Sequence, residues 1–113
     1  MSLSEKQQQF TYCIANLILF AEATGYKLTF GDAYRDFRVF GRHGIKKGYG
    51  RKNSCHKFRL AVDFNLFYNG EYLTDTEDYR VLGEYWEGLH PAARWGGHFD
   101  DGNHFSFEHE GSQ

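Results

Sequence analysis

The run Ala61–Tyr68, followed directly by Asn69-Gly70, constrains the fold more than any other feature of this chain. Side chains alternate along a strand, so Val62, Phe64, Leu66 and Tyr68 share one face while Ala61, Asp63, Asn65 and Phe67 share the other. Asn-Gly supplies the two positive-φ residues of a tight hairpin turn, so the strand is expected to fold back onto an antiparallel neighbour.

Other elements group around this hairpin. Ser4 to Thr24 reads as an amphipathic helix, with Phe10, Cys13, Ile14, Leu17 and Ala21 at helical spacing. Ser4 with Gln7 offers a capping box, and Gly25 stands where a C-terminal cap belongs. A strand, Tyr26 to Phe30, precedes a turn-rich segment ending in Tyr34-Arg35. Gly41 to Asn53 holds four glycines and few apolar residues, and reads as a long loop bordering a cleft, the most mobile internal segment. Thr74 or Asp75 caps a second helix running to about Leu89, which Pro91 ends. Trp95-Gly96-Gly97 opens the last segment, and His104 to Glu108 alternates as a final strand. The order predicts a small α+β domain, residues 1–113, with a mostly antiparallel sheet flanked by helices. Eleven Phe, eight Tyr and two Trp supply the core that a chain of 113 residues needs.

A net charge of −2 argues against nucleic acid as a partner. Lys46, Lys47, Arg51, Lys52, Lys57 and Arg59 form a local basic stretch, either a solvated loop or a rim attracting an anionic polymer. Two cysteines are too few for a disulfide framework, and Cys13 falls on the apolar side of the first helix. No apolar run reaches the roughly 18 residues of a transmembrane segment, and no signal peptide opens the chain. The expectation is a monomer, cytoplasmic on synthesis and acting after release.

Three residues suggest a metal site: His56, Asp63 and His104. Catalytic zinc commonly takes three N/O ligands and keeps a fourth position open. In one straight strand His56 and Asp63 would lie about 23 Å apart, so the chain must turn between them. That places His56 on a loop and Asp63 within the strand, where Ala61 on the same face leaves room beside a metal. The spacing alone is more often that of a buried Asp beside a satisfied His.

The surrounding text is more specific. Ser54-Cys55-His56-Lys57-Phe58-Arg59-Leu60-Ala61-Val62-Asp63 resembles the Ser-x-His-x4-Ala-x-Asp motif of the D-Ala-D-Ala and L,D-peptidase metallopeptidases, which share a fold with the hedgehog signalling domain. Trp95-Gly96-Gly97 and Asp101-Gly102-Asn103-His104-Phe105 resemble that family's second motif, and Tyr34-Arg35 its Tyr-Arg signature. Among its branches the chain most resembles compact phage endolysins cleaving L-alanyl-D-glutamate bonds.

The resemblance implies zinc (Zn2+) on His56, Asp63 and His104, Asp101 as general base, and Arg35 and Ser54 holding the substrate or its developing oxyanion. It implies a peptidoglycan stem peptide as substrate. The residue types suit those roles: imidazole and carboxylate suit zinc, an unligated carboxylate can relay a proton, and a guanidinium can clamp an oxyanion. Two positions depart from the branch. Arg59 stands where Gly is common, and His98 stands where an acid is common, adding a possible fourth ligand or proton shuttle.

Alternatives remain open at this level. A D-Ala-D-Ala dipeptidase or carboxypeptidase would use the same zinc site but must recognise a free carboxylate. A non-catalytic zinc module would need neither Asp101 nor Arg35. Asp100 competes with Asp101 as base but lacks the x-x-His spacing, and Cys55 is a weaker candidate nucleophile. His43, His90 and His109 read as surface residues, and Trp95 as a core or wall residue whose neighbouring glycines admit a substrate backbone.

Overall fold

The computed structural model describes residues 1–31 and 55–113. Tyr34-Arg35, His43, the Gly41–Asn53 loop and Ser54 lie outside the described residues.

Helix α1 spans Leu3–Ala23. Its cap differs from the expected Ser4–Gln7 box. Ser2 is the N-cap: its Oγ accepts from the Glu5 N–H at 3.1 Å, and the Ser2 N–H donates to Glu5 at 2.8 Å. Starting two residues earlier moves Glu5 from the first to the third helical position, where its carboxylate closes the box and still lies in the first turn, which the helix dipole favours. Gln7 is thereby released for another task, described below. At the far end the chain reverses through Gly25, at φ +93°.

Strands β1 (Tyr26–Phe30), β2 (Ala61–Tyr68) and β3 (Glu71–Leu73) follow, with Asn69 and Gly70 both at positive φ between β2 and β3, as the hairpin signal requires. A 3-10 turn at Thr76–Tyr79 then leads into helix α2, Arg80–Glu87. The second helix is thus led in by a tighter turn than expected: Asp75 is the N-cap of that turn, with its N–H donating to Asp78 at 3.2 Å. Strand β4, Ala93–Trp95, was not expected, and β5 is His104–Phe107.

All strand pairs are antiparallel, in the order β1-β2-β5-β4, with β3 also pairing with β2. The α+β architecture is as expected. β2 organises it: its start pairs with β5, setting Asp63 opposite His104 and Ala61 opposite Ser106.

Helices cover one side of the sheet. Phe10, Cys13, Leu17 and Ala21 of α1 and Leu82 and Trp86 of α2 are buried with Phe64, Leu66, Phe105 and Phe107. Trp86 stands edge-on to Phe10 and Phe105, and its indole N–H reaches the carbonyls of Arg94 and Ser106 at 3.0 and 3.1 Å. Burying a large side chain of this kind stabilises by about 1.5–3 kcal/mol, and truncating one to Ala costs about 3–5 kcal/mol. The opposite side of the sheet carries Ala61, Asp63 and His104, so the core backs the site without filling it. Among the described residues no helix is long and apolar enough to cross a membrane.

Candidate metal centre

His56 lies in a four-residue 3-10 turn, Cys55–Phe58, rather than in an irregular loop. The turn ends in a Schellman motif: the Leu60 N–H donates to the Cys55 carbonyl at 2.9 Å and the Arg59 N–H to the His56 carbonyl at 3.2 Å. That closure needs a left-handed residue at its fifth position, and Arg59 provides it at φ +58°. Glycine adopts this conformation without penalty, which accounts physically for Gly being common there. Two further bonds pin the turn. The Cys55 thiol donates to the Phe107 carbonyl at 3.1 Å, and the Gln7 amide of α1 donates to the Phe58 carbonyl at 2.7 Å.

A second turn of the same design precedes β5. Gly96–Phe99 forms a 3-10 turn, with the Asp101 N–H donating to the Gly96 carbonyl at 2.9 Å and the Asp100 N–H to the Gly97 carbonyl at 3.3 Å. Asp100 takes the left-handed position at φ +60°. The Asp101 carbonyl then accepts from the His104 N–H at 3.1 Å, fixing the approach into β5.

These two turns and the β2–β5 pairing bring the candidate ligands together. Single donor atoms of His56, Asp63 and His104 all lie within 4.8 Å of one another. His104 Nδ1 is 3.1 Å and His56 Nε2 3.6 Å from Asp63 Oδ1. Donors about 2.0–2.2 Å from a tetrahedral zinc would be about 3.3 Å apart, so both spacings bracket what that ion demands. The side chains are 25%, 12% and 13% exposed for His56, Asp63 and His104. That is sheltered from bulk solvent yet reachable.

Burial pushes the Asp63 carboxyl pKa up. Hydrogen bonds from His104 and His56 and their positive charge outweigh it, holding the group well below the usual carboxylate range. Asp63 is therefore an anion ready to ligate at any physiological pH. Gly31 keeps its flank open: the Gly31 N–H donates to the Asp63 carbonyl at 2.8 Å, and a Cβ there would press to 3.2 Å from the Asp63 backbone. Nothing in the sequence singled out Gly31, because only the β1–β2 register brings it beside Asp63.

Residues 47–107 match the M15 peptidase family, through a family model described as D-alanyl-D-alanine carboxypeptidase. The matched span is more than half of the chain and contains all three converging ligands. The chain belongs to the M15 peptidases. It is a metallopeptidase for peptidoglycan-related substrates, in a zinc-dependent family whose metal these three donors suit. No curated protein matches the chain.

Within this M15 peptidase the weaker candidates sort differently. Cys55 is fully buried, burial pushes its thiol pKa up, and its Sγ–H is spent on a carbonyl, which suits an anchor and not a nucleophile. His98 Nε2 lies 3.1 Å from both Glu87 carboxylate oxygens, outside the converging donor set. Trp95 is a core residue, as expected, with its indole N–H on the Gly102 carbonyl at 2.7 Å. Its neighbouring glycines, however, serve internal packing. A Cβ on Gly83 or Gly97 would fall 2.1 or 2.3 Å from the Trp95 ring, and one on Gly96 would strike the Asp101 carbonyl at 2.3 Å and His104 Cβ at 2.8 Å. His90 and His109 are half-buried rather than surface groups. The His90 ring stacks on Phe107 and bonds to Gln9 at 2.8 Å, while the His109 ring packs on Phe58. Arg35 and Ser54 lie outside the described residues, and the side chain of Asp101 is exposed.

Proposed function

We propose that this chain is a single catalytic domain over residues 1–113, acting as a monomer, that hydrolyses the L-Ala–D-Glu bond of peptidoglycan stem peptides after release from the cytoplasm, as an endolysin does. The observation that carries the reading is the convergence of His56, Asp63 and His104 donors next to the Asp101 turn. His56, Asp63 and His104 hold zinc. When bound, that ion polarises the scissile carbonyl and lowers the pKa of water toward about 7.

The chain's own residues do the rest. Asp101, exposed one turn before His104, takes the proton of the attacking water and delivers it to the departing amine nitrogen. Arg35 and Ser54 hold the substrate and the oxygen on which negative charge develops. Gln7 and Cys55 keep the His56 turn in place from behind.

The family description favours a second reading, release of a terminal D-Ala by the same centre. Mass spectrometry of digested peptidoglycan separates the two. New N-terminal D-Glu supports the endopeptidase, and free D-Ala supports the carboxypeptidase. Intact muropeptides from protein carrying stoichiometric zinc would leave only a non-catalytic zinc module.

A further inference from the structure

On the face of β2 that carries Asp63, the strip beyond it is partly exposed and, Phe67 apart, polar. Strand alternation puts Asn65 and then Phe67 on that face. The register sets Thr29 beside Asn65, and Lys27 and Tyr72 on either side of Phe67. Tyr72 is 54% exposed; its ring packs on Phe67 and its hydroxyl reaches back to Asn65 Oδ1 at 3.4 Å. Asn65 Nδ2 donates to Thr29 Oγ1 at 3.2 Å and to the Phe30 carbonyl at 3.5 Å. The carboxamide is thus oriented from both ends, and the Tyr72 hydroxyl uses one of the two lone pairs on Oδ1.

Spacing and charge indicate what this strip accepts. Asp63 and Asn65 are two residues apart on one strand, about 6.6 Å, which is also the repeat of an extended peptide. A backbone crossing the metal ligands and running along β2 would bring the amide unit two residues further on over Asn65. Lys27, at the far end, is the strip's one cation among the described residues, and it is 2.7 Å from Glu22. Such a surface offers the hydrogen-bonding groups that an amide-linked backbone needs.

We propose that Thr29, Asn65 and Tyr72 form a subsite that holds a continuing peptide segment on one flank of the cleaved bond. The proposal rests on the peptidase reading above and deepens it, since a continuing segment is what an endopeptidase must accommodate.

The test uses the zinc-loaded full chain and three synthetic stem peptides with amide-capped ends. One spans the cleaved bond with a single residue on each side. The others extend it by two residues on the N-terminal or the C-terminal side. Asn65→Ala and Tyr72→Phe should each raise KM about 3- to 10-fold for one extended peptide, the size of one or two lost hydrogen bonds. Neither variant should change kcat, or KM for the short peptide. An unchanged KM for both extended peptides, or an equal loss on all three, would overturn the subsite. If the wild-type chain cleaves none of them, the assigned bond is wrong, and binding to the metal-free protein decides the subsite separately. Weaker binding of one extended peptide by Asn65→Ala supports it, and identical affinity refutes it.

Discussion

The two 3-10 turns that flank the candidate metal centre share one backbone design but present their candidate functional residues differently. Cys55–Leu60 and Gly96–Asp101 each close with a six-to-one and a five-to-two hydrogen bond around a left-handed fifth residue. The first carries its functional residue inside the turn: His56 occupies the second position, between buried Cys55 and the strand that delivers Asp63. The second carries Asp101 just past the left-handed residue, exposed, with His104 following on β5. A ligand inside a pinned turn has little freedom, as a metal requires. A group at the exit of a turn faces solvent, as the proton carrier proposed for Asp101 would require. On the proposed reading, holding the metal and moving the proton are assigned to different turns, and substitutions should separate them.

The largest effect should come from breaking the first turn's task. His56→Ala and His104→Ala should each weaken zinc binding by more than about 10²-fold, since loss of even an outer-shell partner of a metal ligand costs about 10–100-fold. Elemental analysis after dialysis checks this. Stoichiometric zinc in both variants would place the metal elsewhere.

Next comes the second turn. Asp101→Asn keeps shape and removes basicity, so zinc content should persist while turnover falls by about 10²–10⁴-fold, the usual share of general acid–base catalysis. Loss of zinc in this variant would make Asp101 a ligand and undo the division of labour. Near-normal turnover would move the base to Asp100, since His98 is engaged by Glu87.

How much of this was legible in the sequence depended on how local each signal is. The β2 hairpin was readable because alternation and Asn-Gly are both local, and the three donors because their motif surrounds them. β4 was not, since three residues carry no periodicity. The α1 cap was misplaced because Ser2-x-x-Glu5 and Ser4-x-x-Gln7 are overlapping boxes, and only the Phe58 carbonyl 51 residues away shows what Gln7 does. The glycines near Trp95 looked like room for substrate, but Gly97 abuts the Trp95 ring and Gly96 the Asp101 carbonyl and His104 Cβ, which only tertiary packing reveals. Arg59 looked like a departure from the branch's pattern. Its φ of +58° shows instead a backbone position that tolerates Arg under strain.

That strain can be measured. With the metal chelated, so that zinc binding does not contribute to apparent stability, Arg59→Gly should raise stability by about 0.5–1 kcal/mol. For a chain of this size that is roughly 2–5 °C in Tm by calorimetry. No gain would mean that the closing bonds of the first turn already offset the left-handed penalty.

The smallest effect should appear at the equivalent position of the second turn, and its smallness is what sharpens the comparison. Asp100 sits at φ +60°, almost the same angle as Arg59 at +58°. The two backbones are therefore equally left-handed, and any difference must come from the side chains. Asp occupies this region several-fold more often than most residues, because its short carboxylate can bond to nearby backbone N–H groups. Arg has no such acceptor, and its Cβ bears the full clash with the carbonyl oxygen. Glycine also costs more entropy on folding than either residue, which cancels part of whatever strain it relieves. At position 100 the two terms nearly balance, so Asp100→Gly should change stability by less than about 0.5 kcal/mol, below the gain from Arg59→Gly. Zinc content should be unaffected in both variants, because neither residue donates to the metal set. Equal gains at the two positions would show that the backbone angle alone sets the strain, and the side-chain account of why Asp is accepted in one turn and Gly favoured in the other would fail.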